Sequence, residues 1–198
     1  SMKDFGSEGW LTNRDLVEIG IIDNDLTTVG NYALYQMTKL KYVEFPDTAT
    51  SIGHYVMENA TYVETVNIPK AVKSIGAYGF YGCQNLHSIT VSSENGYFKS
   101  VDGVLYSIDG DTLYAYPNNK AGESYDILDG TLTIQRYAFY GSNHLRYVTV
   151  PESTTTIGYE PWTRCMKIER VDVKEGNTNF KSIDGVLYNY DLTTLISY

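Results

Sequence analysis

The chain has 198 residues, 42% of them hydrophobic and 20% charged, with a formal net charge of −9. That hydrophobic share suits a folded chain rather than a disordered one. The acidic balance argues against nucleic acid as a partner, since counterion release needs a basic patch, and no run approaches the roughly 18 apolar residues of a membrane span.

The chain opens with Ser1-Met2 and stops at "LISY" in mid-pattern, which is expected of a piece of a longer protein whose missing leader says nothing about export. Residues 1–21 read as a partial repeat or cap, with a tag remnant at the very start. Within "LVEIGIIDND", Ile22 falls in register with Ile68; Phe5 and Trp10 either cap an open end or belong to a repeat cut short.

From residue 22 onward a period takes over. An apolar residue followed by glycine recurs at Val29-Gly30, Ile52-Gly53, Ile75-Gly76 and Ile157-Gly158, with Ile134-Gln135 as the variant. The intervals are 23, 23, 59 and 23 residues, so the long one is a single period plus a 36-residue insertion. A fixed period of this length marks stacked units that bury together what none can bury alone. Repeats fall near 22–45, 46–68, 69–91, 127–150 and 151–173 in one domain spanning 22–198, with hairpin insertions near 92–126 and 174–198.

Aligned on this period, the columns have uniform chemistry. One holds Leu34, Met57, Phe80, Phe139 and Trp162; another holds Leu40, Val63, Leu86, Leu145 and Ile168. The pairs Val43/Phe45, Val66/Ile68, Ile89/Val91, Val148/Val150 and Val171/Val173 alternate as a short strand does, with every second side chain inward. Segments such as "GAYGFYGC" space apolar residues by three and four, which predicts a helix of one or two turns on the opposite side. The fold class expected is therefore a repeat solenoid, α+β, with short parallel strands, short convex helices and inserted β-hairpins. Nineteen tyrosines against six phenylalanines suit so thin a body, where a ring packs and its hydroxyl stays wet.

The insertion begins a longer repetition. "FKSVDGVLYS" at 98–107 returns as "FKSIDGVLYN" at 180–189, 82 positions on, and Cys83 and Cys165 share that spacing. Cysteines in equivalent slots several coils apart stay out of bonding range, so both are expected as free, buried thiols. Around "IDGD", the runs "GVLYS" and "TLYAY" predict a hairpin, whereas the second copy has no turn glycine at Tyr190-Asp191-Leu192.

The motifs above, "IPKAVKSIGAYGFYGCQNLHSITV" most of all, resemble the BspA-like leucine-rich repeat family over roughly residues 22–198. The resemblance implies a right-handed superhelix and a bacterial or protist surface protein, secreted or at the cell surface. It implies a non-enzymatic, adhesion-type module whose partner is a protein or polysaccharide of a cell surface or host matrix. A structural spacer, or an accessory region of a larger secreted enzyme, is the alternative. Departures from the pattern ("VMENA" in the second unit, "EPW" in the fifth) bear on the local helices.

Chemistry is not expected. Asp102, Asp109 and Asp111 are too few and badly spaced for a calcium loop, and His54, His87 and His144 occupy three different columns. No strained nucleophile turn or phosphate-cradling loop is present, so neither metal, cofactor nor catalysis is predicted. What remains is the outward side of the strands, where Tyr42, Glu44, Asn67, His87, Thr90, Arg146, Tyr147, Thr149, Arg170 and Asp172 form the candidate binding face. Tyr147 with Arg146 and Arg170 is its expected centre, because interfaces concentrate energy on Tyr and Arg. Tyr35, Tyr81 and Tyr140 on the opposite side form a rival patch.

Overall fold

A computed structural model describes residues 14–197 as a solenoid whose coils have three sides. On the first side, two-residue strands stack in parallel: Thr28–Val29, Ser51–Ile52 and Ser74–Ile75, then Thr133–Ile134 and Thr156–Ile157. The second side carries the longer strands Tyr42–Glu44, Thr65–Ile68, Ser88–Val91, Ser124–Asp126, Tyr147–Val150 and Arg170–Val173. Ile19–Ile21 pairs with the first of these, and Ile22 beyond it is buried. Register follows the period: Val29 faces Ile52, which faces Ile75, and Val66 faces Ile89. Along each long strand alternation decides burial, so Val66, Ile68 and Ile89 are inside while Thr65, Asn67 and Thr90 face out.

The third side corrects the expected helices. Among the described residues there is no α-helix, and a 3-10 turn at Arg14–Leu16 is the only helical element. Each predicted helix is a series of overlapping turns, with Tyr35 N donating to Tyr32 O, Met37 N to Leu34 O and Leu40 N to Met37 O. Alternate amides leave the coil altogether: Tyr32, Leu34 and Gln36 donate to the carbonyls of His54, Val56 and Glu58. An α-helix would close those bonds within itself and leave this side of neighbouring coils unlinked. Two left-handed residues four apart hold the bend in every unit, at 32/36, 55/59, 78/82, 137/141 and 160/164. The spacing by three and four that reads as a helix is the spacing of these turns.

The insertion is more than a hairpin. Phe98–Val101 and Val104–Ser107 pair antiparallel through Asp102-Gly103, whose φ values of 50° and 78° make the tight mirror-image turn that Asp-Gly favours. The repeated ten letters are thus a hairpin by themselves, with "FKSV" as a strand that the sequence pattern alone does not show. Thr112–Ala115 then returns antiparallel to Val104–Ser107, as expected across "IDGD". It also pairs in parallel with Thr133–Ile134, taking a place in the short-strand ladder. Ser124–Asp126 likewise joins the long-strand ladder beside Tyr147–Val150. Residues 112–126 are therefore a shortened coil.

This coil divides the core. Leu34, Met57 and Phe80 belong to one buried cluster; Phe139 and Trp162 belong to a second, with Tyr116 of the shortened coil. Tyr116 stacks on Phe139 at 5.1 Å and Phe139 on Trp162 at 5.7 Å, so the aromatic column continues past the insertion with Phe80 on the other side of the division. Both cysteines are free, Cys83 buried but Cys165 only half-buried, and they repeat one contact: Cys83 Sγ donates to Met57 O at 3.2 Å and Cys165 Sγ to Phe139 O at 2.9 Å.

The glycine column has a steric origin. A Cβ at Gly53, Gly76 or Gly158 would lie 2.5, 2.3 or 2.3 Å from a backbone nitrogen of the preceding coil. At Gln135 the preceding coil is the shortened one, and a side chain fits; Gln135 is not among the left-handed residues.

Candidate binding surface

The long-strand side holds the residues singled out from the sequence, but in two groups. Tyr42, Glu44, Asn67 and Thr90 are exposed on the strands before the insertion, and His87 is exposed just ahead of Ser88–Val91. Tyr147, Thr149, Arg170 and Asp172 lie on the strands after it, with Arg146 immediately before the first. Between them stand the hairpin tip and the shortened coil: Ile89 N donates to Gly103 O, and Asn119 N to Leu86 O.

In the first group, Tyr42 is 48% exposed and its hydroxyl donates to Glu44 Oε2 at 3.3 Å. The Glu44 charge beside it pushes that phenol's pKa up. Thr90 Oγ1 donates to Asn67 Oδ1 at 3.0 Å. Tyr42–Glu44 and Thr65–Ile68 are not hydrogen-bonded to one another as a ladder, and a groove of about 190 Å³ lies along Tyr42, Asn67 and Thr90. His87 lines a separate polar recess with Ser88, Asn119 and the Lys120–Asp102 ion pair, whose Nζ–Oδ2 distance is 2.7 Å.

The second group is a network. Arg146 Nε donates to Glu169 Oε1 at 2.8 Å, and Nη1 reaches Glu123 Oε2 at 3.2 Å. The Tyr147 hydroxyl donates to the other Glu169 oxygen at 3.0 Å, and the Arg146 guanidinium sits 5.3 Å from the Tyr147 ring centroid. Donation from Arg146 and then from Tyr147 holds the Glu169 carboxyl below its usual range. Arg170 is bidentate to Asp172, at 3.1 and 2.9 Å. The two arginines thus sit in separate ion pairs. Glu123, Arg146 and Glu169 pair from coil to coil, whereas Arg170 and Asp172 are two apart on one strand; both arrangements hold long side chains in a single geometry.

Several participants were missed in the sequence. Glu123 lies inside the insertion, and only its place one period before Arg146 marks it. Asn95 and Asn177, again 82 apart, are buried and anchor the two hairpins. The amide of Asn95 donates to Pro69 O and Val72 O and accepts from the Tyr97 and Phe98 amides; Asn177 repeats all four bonds.

The rival patch on the turn side belongs to a wider aromatic array. Tyr32, Tyr55 and Tyr78 stack face to face at 4.9 and 4.4 Å, and Tyr81 stacks on Tyr140 at 3.8 Å. Rings stacked this closely cover one another's faces, so this side presents ring edges and hydroxyls.

Among the described residues no group of three or more His, Cys, Asp and Glu is arranged to hold a metal ion, and no helix is long and apolar enough to cross a membrane.

The "BspA type Leucine rich repeat region" family model matches residues 10–101 and 112–195 in six copies. Among solved structures, a leucine rich cell surface protein of Faecalibacterium prausnitzii is 26% identical with a TM-score of 0.70, covering 78% of this chain and 41% of that one. The pneumococcal vaccine antigen PcpA is 29% identical with a TM-score of 0.73, covering 78% of this chain and 39% of its own. A leucine-rich repeat protein from Bacteroides ovatus shares the fold at 18% identity and a TM-score of 0.56, covering 79% of this chain and 37% of that one. The chain spans about two fifths of the length of the first two. No curated protein sequence matches it. The period of 23, the parallel ladders on two sides and the matched copies together place the chain in the BspA-type leucine-rich repeat family.

Proposed function

We propose that this segment is a non-enzymatic, adhesion-type binding module of a secreted or cell-surface protein. Its partner is a protein or polysaccharide of a cell surface or host matrix, met by the outward residues of the long strands. The location follows from likeness to a structure described as a cell surface protein, and is an argument by family. The observation that carries the reading is the Arg146–Tyr147–Glu169–Glu123 network. It presents an aromatic ring and a guanidinium already ordered, so less side-chain entropy is lost on contact.

The test is an array of matrix proteins and glycans probed with the purified segment and with Tyr147→Ala. A ligand held by this face should lose about 10-fold or more in affinity, the scale of an interfacial anchor. Equal binding by both proteins overturns the assignment of this face.

A second reading has its own observation. Arg146 and Arg170 are both paired within the face, as they would be in a spacer that binds nothing and only keeps its surface soluble. Absence of any partner at high micromolar concentration favours it.

A further inference from the structure

Where the insertion interrupts the repeat, the turn side of the solenoid is one segment short. The shortened coil runs past as Tyr116-Pro117-Asn118 without the two left-handed residues, four apart, of the other units. Rings of the flanking coils meet across the gap instead: Tyr78 and Tyr137 have centroids 5.1 Å apart, and Tyr81 and Tyr140 3.8 Å. Between these coils remains a partly open cavity of about 110 Å³, walled by Ile75, Phe80, Leu105, Tyr114 and Ala115.

This is also where the repeat departs from itself. In the regular coils the space beside the glycine column is filled by the backbone of the preceding coil. Here the preceding coil is the shortened one, and Gln135 lines the cavity next to the exposed Arg136. Arg136 Nη1 donates to the Tyr78 hydroxyl at 3.1 Å, which holds the guanidinium beside the ring pair. Positions where a regular pattern breaks without a packing gain are where function is expected.

The lining selects its ligand. Water needs two to four polar partners, and aliphatic and ring carbons supply few. Asn118, Gln135 and Arg136 also line the cavity, too few for a pyranose, whose remaining hydroxyls would lie against Ile75, Phe80 and Leu105. A flat aromatic ring suits both the walls, which offer edge-to-face contact, and the size, since an apolar cavity of about 150 Å³ admits benzene. This cavity is smaller but open on one side, so a substituent can remain outside.

We propose that the cavity is a binding site for a phenol-sized aromatic ring, its hydroxyl directed to Gln135 and Arg136. The site is independent of the long-strand face, and Tyr147→Ala leaves it untouched. The ring can come from a free phenolic compound or from a tyrosine side chain of a partner protein; the chemistry is the same.

The experiment is a titration of the intact segment with p-cresol, toluene and N-acetyl-tyrosine amide, followed by backbone amide shifts. Saturable shifts with p-cresol, confined to Gly79, Ala115 and Ala138 and their neighbours, support the site. Response to the tyrosine amide as well assigns a side chain as the ligand; response to p-cresol alone assigns a free compound. Ala115→Leu, which fills the cavity, should weaken p-cresol at least tenfold in a protein whose other amide shifts are unchanged. Gln135→Ala is the second variant, and should cut the preference for p-cresol over toluene several-fold. The proposal is overturned by the absence of saturable shifts at millimolar p-cresol, by shifts scattered over the surface, or by a preference over toluene that Gln135→Ala leaves intact.

Discussion

The hairpin at 98–107 and its copy at 180–189 carry nearly the same letters into different surroundings. Their conformations agree: Asp102-Gly103 and Asp184-Gly185 are all left-handed, with φ of 50°, 78°, 52° and 86°. Both tips dock alike, Ile89 N donating to Gly103 O at 2.9 Å and Val171 N to Gly185 O at 2.8 Å. Their burial differs. Phe98, Val104 and Tyr106 are 3%, 0% and 0% exposed, whereas Phe180, Val186 and Tyr188 are half-buried. The first copy is followed by Thr112–Ala115, which Thr133–Ile134 of the next coil covers; in the second, Leu195–Ser197 pairs with the hairpin alone among the described residues. Local letters determine the turn and its anchorage. The neighbouring coil determines how much the hairpin contributes to stability.

That contrast can be broken experimentally, and the largest effect should come from the ring at its base. Phe98→Ala should cost about 3–5 kcal/mol, as a truncated core phenylalanine does, and Phe180→Ala less than about half of that. Urea midpoints of the two variants, with exchange protection of the flanking amides, measure the difference. Equal losses would mean that burial by the next coil is not what separates the copies. The buried asparagines should behave oppositely. Asn95→Ala and Asn177→Ala each take a partner from two carbonyls and two amides, and in each copy one carbonyl, Pro69 O or Pro151 O, keeps a backbone amide; at about 1–3 kcal/mol per group left without any partner, their losses should match one another.

A smaller effect concerns alkaline pH. Burial pushes the Tyr116 phenol up to about 12, and burial likewise raises Tyr106, whose hydroxyl meets that of Tyr125 at 2.7 Å. The folded chain keeps these protons where an unfolded tyrosine, with a pKa of about 10, gives them up. Their contribution is therefore full below about pH 10 and is lost as pH rises towards the folded values. Phenolate absorbance should climb together with unfolding in this window. A gradual titration ahead of unfolding would place these rings in water. Smallest of all, Tyr106→Phe should cost about 1 kcal/mol through its hydrogen bond, and Tyr188→Phe almost nothing.

Much of the architecture can be read from spacing alone. Period, strand positions, strand register and the division of each strand into inward and outward residues follow from columns such as Val66/Ile68 and Ile89/Val91. The turn side could not be read that way. "GAYGFYGC" satisfies a helical template, and nothing local to it reveals that Tyr55, Met57 and Asn59 donate to the following coil. The hairpin strand Phe98–Val101 was hidden for a related reason: "FKSV" is too short and mixed to register as a strand until Val104–Ser107 lies against it. On the candidate face, Tyr147 stands beside Arg146 and opposite Arg170 in the strand register, but the carboxylate partners of the two arginines were not legible in the sequence. Each arginine met a carboxylate on its own face, Glu169 and Asp172, and the hairpin tip set Tyr42 and Asn67 apart from both. The Arg146–Glu169 pairing runs between coils and the Arg170–Asp172 pairing along one strand, a choice that a list of outward positions does not contain.

An array of this kind can be lengthened only by units that bring their own clearance. Gly53, Gly76 and Gly158 let one main chain lie almost against another, so a coil joined on without glycine there would be forced away from its neighbour. The shortened coil before Gln135 shows the other solution: a neighbour without the usual bend, beside which a side chain fits and a niche remains. Recombination that duplicates whole 82-residue blocks preserves both solutions at once, whereas duplication of single coils across the junction would set Gln135 against a full-length main chain. The junction thus acts as a grammatical rule for how the protein can grow.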